Sequence, residues 1–266
     1  MIPLGAIPAL VVVGAVFGAG LIGAVAQSLQ PGSLVGGGFS ADAWRAVLTD
    51  RDLWDAVGFT ARTAALTTVL SAAGGVLLAA LLRGTRPGVR ALVALPLALP
   101  HLVLAVVVVA WLGPGGLVDR ATGLQPDIVG GRSGLGIVLV SVLKEAPFVA
   151  LAALAVWDDE TRKREEAAAM LGAGRANRLL LVALPRLAPA VAAASLIVAA
   201  YSLGAFEVAL VAGPTHPQTI ATYALDQTRA PDVGAPARAA AALLIAATLS
   251  LAAAAAAVRF VRGRHA

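Results

Sequence analysis

Long continuous apolar runs constrain this chain more than any other feature of its sequence. Six such runs, each about 20 residues or longer, are separated by shorter connectors that carry most of the charge. A helix of about 20 apolar residues crosses the hydrocarbon core of a bilayer, because a rise of about 1.5 Å per residue gives about 30 Å. Transmembrane strands would show short alternating segments instead. The sequence therefore predicts an all-α membrane protein with six transmembrane helices.

The apolar runs give approximate bounds for these helices. The predicted transmembrane helices lie at residues 3–29, 58–82, 91–112, 134–156, 188–211 and 237–258. In the first run, Ala24-Val25-Ala26 fits the small-residue pattern of a signal-peptide cleavage site. However, no Lys or Arg precedes that run, and it is about 25 residues long, whereas the apolar region of a signal peptide has about 7–15. We expect the first helix to be retained.

Composition excludes several function classes. The chain is 59% hydrophobic and 13% charged, whereas soluble domains have about a quarter charged residues. Its net charge of +5 is expected of cytoplasmic loops and does not by itself indicate nucleic-acid binding. With no cysteine there is no disulfide or thiolate chemistry, and His101, His216 and His265 are too far apart for a metal-site motif. We expect no catalytic residue, no metal site and no cofactor bound by this chain.

The distribution of basic residues predicts the orientation. If both termini are cytoplasmic, the segments inside the cell are residues 83–90, 157–187 and 259–266. The segments outside are then residues 30–57, 113–133 and 212–235. The inner segments carry twelve Lys and Arg residues and the outer segments five. This asymmetry follows the positive-inside rule, so the prediction is that both termini are cytoplasmic.

The most charged segment, residues 157–187, lies between the fourth and fifth predicted helices and is called the connector below. Asp158 or Asp159 is a suitable N-cap for a helix that would end at Gly172. A second short helix is predicted at about 174–182, and Pro185 suits the first turn of the next membrane helix. Read alone, this could be an ordinary solvated linker or a surface that a soluble protein grips.

The spacing within the connector is more specific. Glu166-Ala167-Ala168 is followed after three residues by Gly172, and after nine more by Val182-Ala183-Leu184-Pro185. This pattern closely resembles the EAA motif of the inner-membrane permeases of binding-protein-dependent ATP-binding cassette (ABC) importers, which have the MetI-like fold. The position of the motif, between helices four and five of six on the inner side, is also that of the family. The resemblance covers roughly residues 56–258.

The resemblance implies a transport subunit and not an enzyme. Two such permeases, identical or paralogous, form the pathway in the cell (inner) membrane. Each inserts its connector into one of two cytoplasmic ATPases, which bind ATP and Mg²⁺, and an extracytoplasmic solute-binding protein delivers the substrate. This chain has no phosphate-binding loop of the Gly-x-x-x-x-Gly-Lys-Ser/Thr type. The residues that the resemblance assigns to ATPase coupling are Glu165, Glu166, Ala167, Ala168, Leu171, Gly172, Val182, Leu184 and Pro185.

The resemblance also suggests a domain organisation. Residues 1–57 would hold the first helix and an outer amphipathic segment, residues 58–258 the permease core, and residues 259–266 a basic cytoplasmic tail. Two stretches, 95–101 and 203–207, resemble the branch that imports polyamines, ferric iron or phosphonates. Sugar, sulfate and peptide importers use the same scaffold, so the substrate stays open.

Several polar residues lie within or beside the predicted spans. The candidate pathway residues are His101, Lys144, Glu145, Tyr201 and Glu207. Ionisable residues in a membrane are costly and usually face a cavity or a partner. Lys144 and Glu207 could instead form a structural pair.

Two function classes compete with an importer. A secondary transporter would use an ion gradient and carry discontinuous helices around an ion site. An intramembrane enzyme would need a catalytic pair at matching depth, and the sequence offers none.

Overall fold

The fold is that of a computed structural model that describes residues 7–30 and 38–263. These residues form thirteen α-helices and one π-helical segment and no strand. The first seven helices are α1 (Ile7–Ser28), α2 (Asp42–Thr49), α3 (Arg51–Leu82), α4 (Pro87–Ala98), α5 (His101–Leu112), α6 (Leu117–Thr122) and α7 (Leu135–Val156). The others are α8 (Asp159–Met170), α9 (Arg175–Asn177), the π-helical segment Arg178–Ala183, α10 (Leu184–Gly204), α11 (Glu207–Ala212), α12 (Ile220–Arg229) and α13 (Ala235–Gly263).

Among the described residues, six helical stretches are long and apolar enough to cross a membrane, which confirms the predicted all-α class and the number of spans. These stretches are Val11–Ser28, Arg51–Leu82, His101–Thr122, Leu135–Val156, Arg175–Gly204 and Ala235–Ala255. The cytoplasmic placement of both termini and the division at residues 57 and 258 stay predictions.

The third predicted helix, 91–112, is wrong as one continuous element. It is broken into α4, which ends at Ala98, and α5, which begins at His101. Leu99 between them is extended, with φ −85° and ψ 139°. The cause is Pro100, because a proline ring clashes with a preceding residue in the helical region.

The fifth predicted helix, 188–211, also differs from the structure. It begins earlier, because the candidate span includes α9 and the π-helical segment and starts at Arg175. It stops at Gly204, Ala205 is extended (φ −65°, ψ 121°), and the short helix α11 follows. Two of the six predicted helices are therefore interrupted partway along their length.

One compact unit comprises, among the described residues, 7–30, 38–57 and 219–248. Its core packs Val47, Leu53, Ile220 and Tyr223 against small residues of α13. The Tyr223 hydroxyl donates to Asp50 Oδ2 at 2.6 Å. Burial, and then this hydrogen bond to a carboxylate, raise the pKa of Tyr223 above its ordinary value.

The other compact unit comprises, among the described residues, 58–218 and 249–263. Its central element is α7, which packs against α4, α5, α10 and α11. In α7, 61% of the span is buried, against at most 28% in any other candidate span. Gly75 of α3 permits close contact with α7, because a Cβ there would lie 2.6 Å from the Cβ of Val149. Any polar group on the inner face of α7 is thus enclosed by protein.

Candidate functional site

The connector begins with a well-capped helix. The carboxylate of Asp158 accepts from the backbone N–H of Thr161 at 2.8 Å and from its hydroxyl at 2.6 Å. The hydroxyl bond, followed by the backbone bond, holds the pKa of Asp158 below its ordinary value. Asp158 is therefore the N-cap of α8, one of the two residues that the sequence predicted for this position.

The end of α8 also follows the sequence prediction. Gly172 has φ +87°, a left-handed conformation that glycine adopts without strain. The N–H of Gly172 donates to Ala169 O and that of Ala173 to Ala168 O, both at 2.9 Å. These bonds satisfy carbonyls at the end of the helix.

The second half of the connector differs from the predicted short helix at 174–182. Only Arg175–Asn177 is a separate α-helical stretch, and the π-helical segment Arg178–Ala183 then leads directly into α10. Val182 and Leu184 are partly buried here, whereas Pro185 is exposed in the first turn of α10. The second part of the motif thus belongs to the base of a membrane helix.

Glu165 is buried on the inner side of α8, with only 3% of its surface exposed. Its Oε2 accepts from the Arg83 guanidinium, at the end of α3, and from Trp157 Nε1 at 3.2 Å. The Arg83 guanidinium also lies over the Trp157 ring, 4.8 Å from its centroid. This carboxylate joins the ends of α3 and α7 to α8.

Thr161 lies one turn before Glu165 on the same side of α8 and is fully buried. Its hydroxyl accepts from Arg186 Nε of α10 at 2.9 Å. Arg186 also lies 3.7 Å from the Asp158 carboxylate. Thr161 and Glu165, with their partners Arg83, Trp157 and Arg186, are called the anchor.

The opposite side of α8 is open. Glu166 and Ala167 are exposed, and Ala168 is half-buried. Met170 and Leu171 are 91% and 90% exposed, unusual for large apolar side chains. Glu166 has no hydrogen bond or ion pair with any described residue. Glu166, Met170 and Leu171 are called the tip.

A cavity of about 460 Å³ lies beside the anchor, lined by residues from the ends of α3 and α7 and from the connector. Glu165 and Glu166 both line it. Arg83 and Arg178 line it as well.

Lys144 lies buried in the middle of α7. It does not pair with Glu207, the alternative that the sequence left open. Its ammonium donates to the carbonyls of Pro96 and Leu97, both at 3.2 Å, and to that of Leu99. These carbonyls belong to the broken end of α4, where the helix dipole favours a positive charge. Lys144 thus satisfies backbone groups that the break at Pro100 exposes.

The structure brings three other candidate pathway residues together. His101 Nε2 lies 3.0 Å from Glu145 Oε1, and the His101 ring stacks on Tyr201 with centroids 4.4 Å apart. Glu207 makes no hydrogen bond to this cluster: it is exposed in the first turn of α11 and forms no hydrogen bond or ion pair with a described residue.

Sequence reasoning missed three residues of the site. From the sequence, Arg83 and Arg186 contribute only to the orientation and Trp157 has no assigned role, yet each of the three contacts α8 or its N-cap. The only sequence signal was their position at the ends of membrane spans.

Metal chemistry gains no support from the described residues, where no group of three or more His, Asp or Glu side chains is arranged to hold an ion.

The sequence of this chain is similar to a family of membrane transport components and to two known permeases. Residues 71–265 match the family model described as a binding-protein-dependent transport system inner membrane component. The chain is 30% identical over 197 residues to the inner membrane ABC transporter permease protein YnjC of Escherichia coli, a match covering 71% of this chain and 37% of that protein. It is 30% identical over 187 residues to the molybdenum transport system permease protein ModB of Azotobacter vinelandii, covering 67% and 80%.

Solved structures share the fold. A bacterial ABC transporter that imports the acidic polysaccharide alginate has a chain that matches with a TM-score of 0.75 at 19% identity, covering 96% of this chain and 92% of that one. The relatives are transport permease subunits, which confirms the expected non-enzymatic role. The family match covers most of the sequence, including the connector. The chain belongs to the family of inner-membrane permease components of binding-protein-dependent ABC importers.

Proposed function

We propose that the chain forms half of a solute pathway and couples it to a separate ATPase through the tip of the connector. The observation that carries this proposal is the near-complete exposure of Met170 and Leu171 at the end of a firmly anchored helix. Such apolar side chains gain free energy by burial against a partner, at about 25 cal/mol per Å². Small alanines beside them allow a close approach, and Glu166 supplies a charge for register.

The anchor provides the contacts through which a displacement of the tip would be transmitted to the membrane helices. Arg83, Trp157 and Arg186 lie at the ends of α3, α7 and α10, and all three contact the buried side of α8 or its N-cap. Displacement of α8 would therefore move three membrane helices together. Rigid-body motion of this kind is a common way to alternate access to a site.

The proposed assembly has two permeases, two ATPases and a solute-binding protein. The family description supports the binding protein, as does a similar structure solved in complex with a periplasmic protein bound to an alginate pentasaccharide. ATP and Mg²⁺ would be held by the ATPases.

A gradient-driven transporter is disfavoured by the environment of Lys144. Discontinuous helices, which the chain does have at α4 and α5, can offer carbonyls to a coupling cation. Here the ammonium of Lys144 already occupies the carbonyls of Pro96, Leu97 and Leu99. Because the ammonium of Lys144 occupies these carbonyls, a transported cation could not bind to them.

Purification from the native membrane in mild detergent tests the assembly. We expect an ATPase and a second permease, identical or paralogous, to accompany the chain. If the chain came out alone even after chemical cross-linking, the coupling proposal would be refuted.

For the substrate, we propose a small oxyanion. The support is that relatives from Azotobacter vinelandii and Escherichia coli are named molybdenum transport permeases. Phosphonate, one of the solutes that the sequence resemblance suggests, is an oxyanion similar in size to molybdate. A cationic solute, a polyamine or ferric iron, is the second candidate, favoured by the exposed and unpaired carboxylate of Glu207.

Replacing Glu207 with Gln distinguishes the two substrates. Loss of a carboxylate from the pathway should slow uptake of a cation and leave uptake of an oxyanion equal or faster. Uptake is measured in vesicles with molybdate and with spermidine, at matched expression of the assembled complex. Unchanged uptake with normal assembly would remove Glu207 from the pathway.

A further inference from the structure

A second cavity lies at the same end of the unit as the connector. It has a volume of about 380 Å³ and is lined by Arg83, Arg175 and Arg178 together with Leu81, Leu179 and two alanines. None of the described residues that line it is acidic. It is called the arginine pocket.

Two of its guanidinium groups have no counter-charge. The side chains of Arg175 and Arg178 form no ion pair or hydrogen bond with any described residue. Arg178 Nε is buried without a hydrogen-bond partner, an arrangement that costs free energy unless something else accepts from it. Arg83 shares its charge with Glu165. The pocket thus presents unsatisfied donors and excess positive charge.

The depth of the pocket matches a membrane interface. Arg83 directly follows the span that ends at Leu82, and Arg175 begins the span that ends at Gly204. Apolar side chains beside these arginines point outward: Leu81 is 65% exposed and Leu181 73%. Cationic donors at the end of two spans, next to an exposed apolar surface, suit a ligand with an anionic head and a hydrocarbon tail.

We propose that the arginine pocket binds the phosphate headgroup of an anionic membrane lipid. Guanidinium groups bind phosphate through paired N–H donors, so Arg175 and Arg178 would hold the phosphate oxygens while the acyl chains lie along Leu81 and Leu181. Because Arg83 belongs to both the pocket and the anchor, the lipid would touch a residue that connects α3 to α8.

Lipid titration of the full chain, purified with its copurifying partners, tests this site. Fluorescent phosphatidylglycerol is titrated into the protein, with unlabelled phosphatidylglycerol, phosphatidylcholine and inorganic phosphate as competitors. The variant Arg175→Gln/Arg178→Gln should bind phosphatidylglycerol about thirtyfold more weakly, since each arginine near a headgroup contributes about a fivefold effect. Lys163→Gln/Arg164→Gln removes the same charge from the exposed side of the connector and should bind normally.

The outcomes separate the possible sources of the anion. Competition by phosphatidylglycerol and not by phosphatidylcholine, lost only in the pocket variant, would establish the lipid site. Equal competition by inorganic phosphate would show a soluble anion site and overturn the proposal. Equal loss in both double variants, or no phosphatidylglycerol preference in the unmodified protein, would overturn it as well. If the double variant fails to fold, Arg175→Gln alone, at an exposed position, should weaken binding about fivefold.

Discussion

Glu165 and Glu166 are adjacent in the sequence but differ in burial and in contacts. Glu165 is buried and accepts hydrogen bonds from Arg83 and Trp157, whereas Glu166 is exposed and its side chain bonds to none of the described residues. Successive helix residues point about 100° apart, so Thr161 and Glu165 share one side of α8 and Glu166 and Met170 share another. The comparison shows that α8 has two different sides, a buried anchor that fixes the connector and an exposed tip, which we propose docks on an ATPase.

The largest effect is expected from Gly172→Pro, which disrupts the turn beside the tip. Proline fixes φ near −65°, whereas Gly172 has φ +87°. The end of α8 must then re-form, which moves Leu171 away from the position in which we propose that it docks. Uptake should be abolished while the amount of protein in the membrane stays normal. Full uptake at normal expression would argue strongly against a coupling role for the tip.

A charge reversal at the tip, Glu166→Lys, should also abolish uptake and leave the isolated chain unaffected. The side chain is exposed and forms no hydrogen bond or ion pair with a described residue, so its replacement removes no interaction that stabilises the fold. The measurement pairs uptake in vesicles with the melting temperature of the purified chain. A lowered melting temperature with uptake retained would reverse the roles assigned to the two glutamates.

The anchor should behave in the opposite way. Glu165→Gln removes the charge that Arg83 and Trp157 share and should destabilise the chain by roughly 1–3 kcal/mol, because a neutral amide oxygen accepts these hydrogen bonds more weakly than a buried carboxylate does. Thermal unfolding in detergent measures this loss, with Glu166→Gln as the matched control. Equal melting temperatures for the two variants would show that the anchor does not stabilise the connector.

Gly172→Ala is expected to give the smallest effect. A methyl group would meet no atom within 4 Å, so only the left-handed backbone opposes it. The cost should be about 1 kcal/mol and uptake should fall only slightly. A loss as complete as that of Gly172→Pro would mean that space around the tip, and not backbone conformation, is limiting.

Local signals in the sequence predicted much of this architecture. The six spans follow from hydropathy, the N-cap from Asp158 and the stop from Gly172, since each depends on residues within a few positions. The break before α5 also had a local signal in Pro100, which the long apolar run around it outweighed.

The anchor and the role of Lys144 depend on contacts that are distant in the sequence. Glu165 meets Arg83 across 82 positions, and Lys144 meets Pro96 across 48. A single sequence shows neither the side of α8 that faces α3 nor the carbonyls that a broken helix exposes. Burial of one glutamate and exposure of the next therefore had to come from the fold.

Site-specific cross-linking tests most directly whether the tip docks on an ATPase. The chain has no cysteine, so Leu171→Cys places a single reactive group at the tip, and Leu124→Cys places a control in an exposed loop of the same unit. With a short bifunctional reagent in native membranes, we predict a cross-link to an ATPase from position 171 and none from position 124. Equal cross-linking from both positions, or none from position 171 in actively transporting membranes, would contradict the coupling role of the tip.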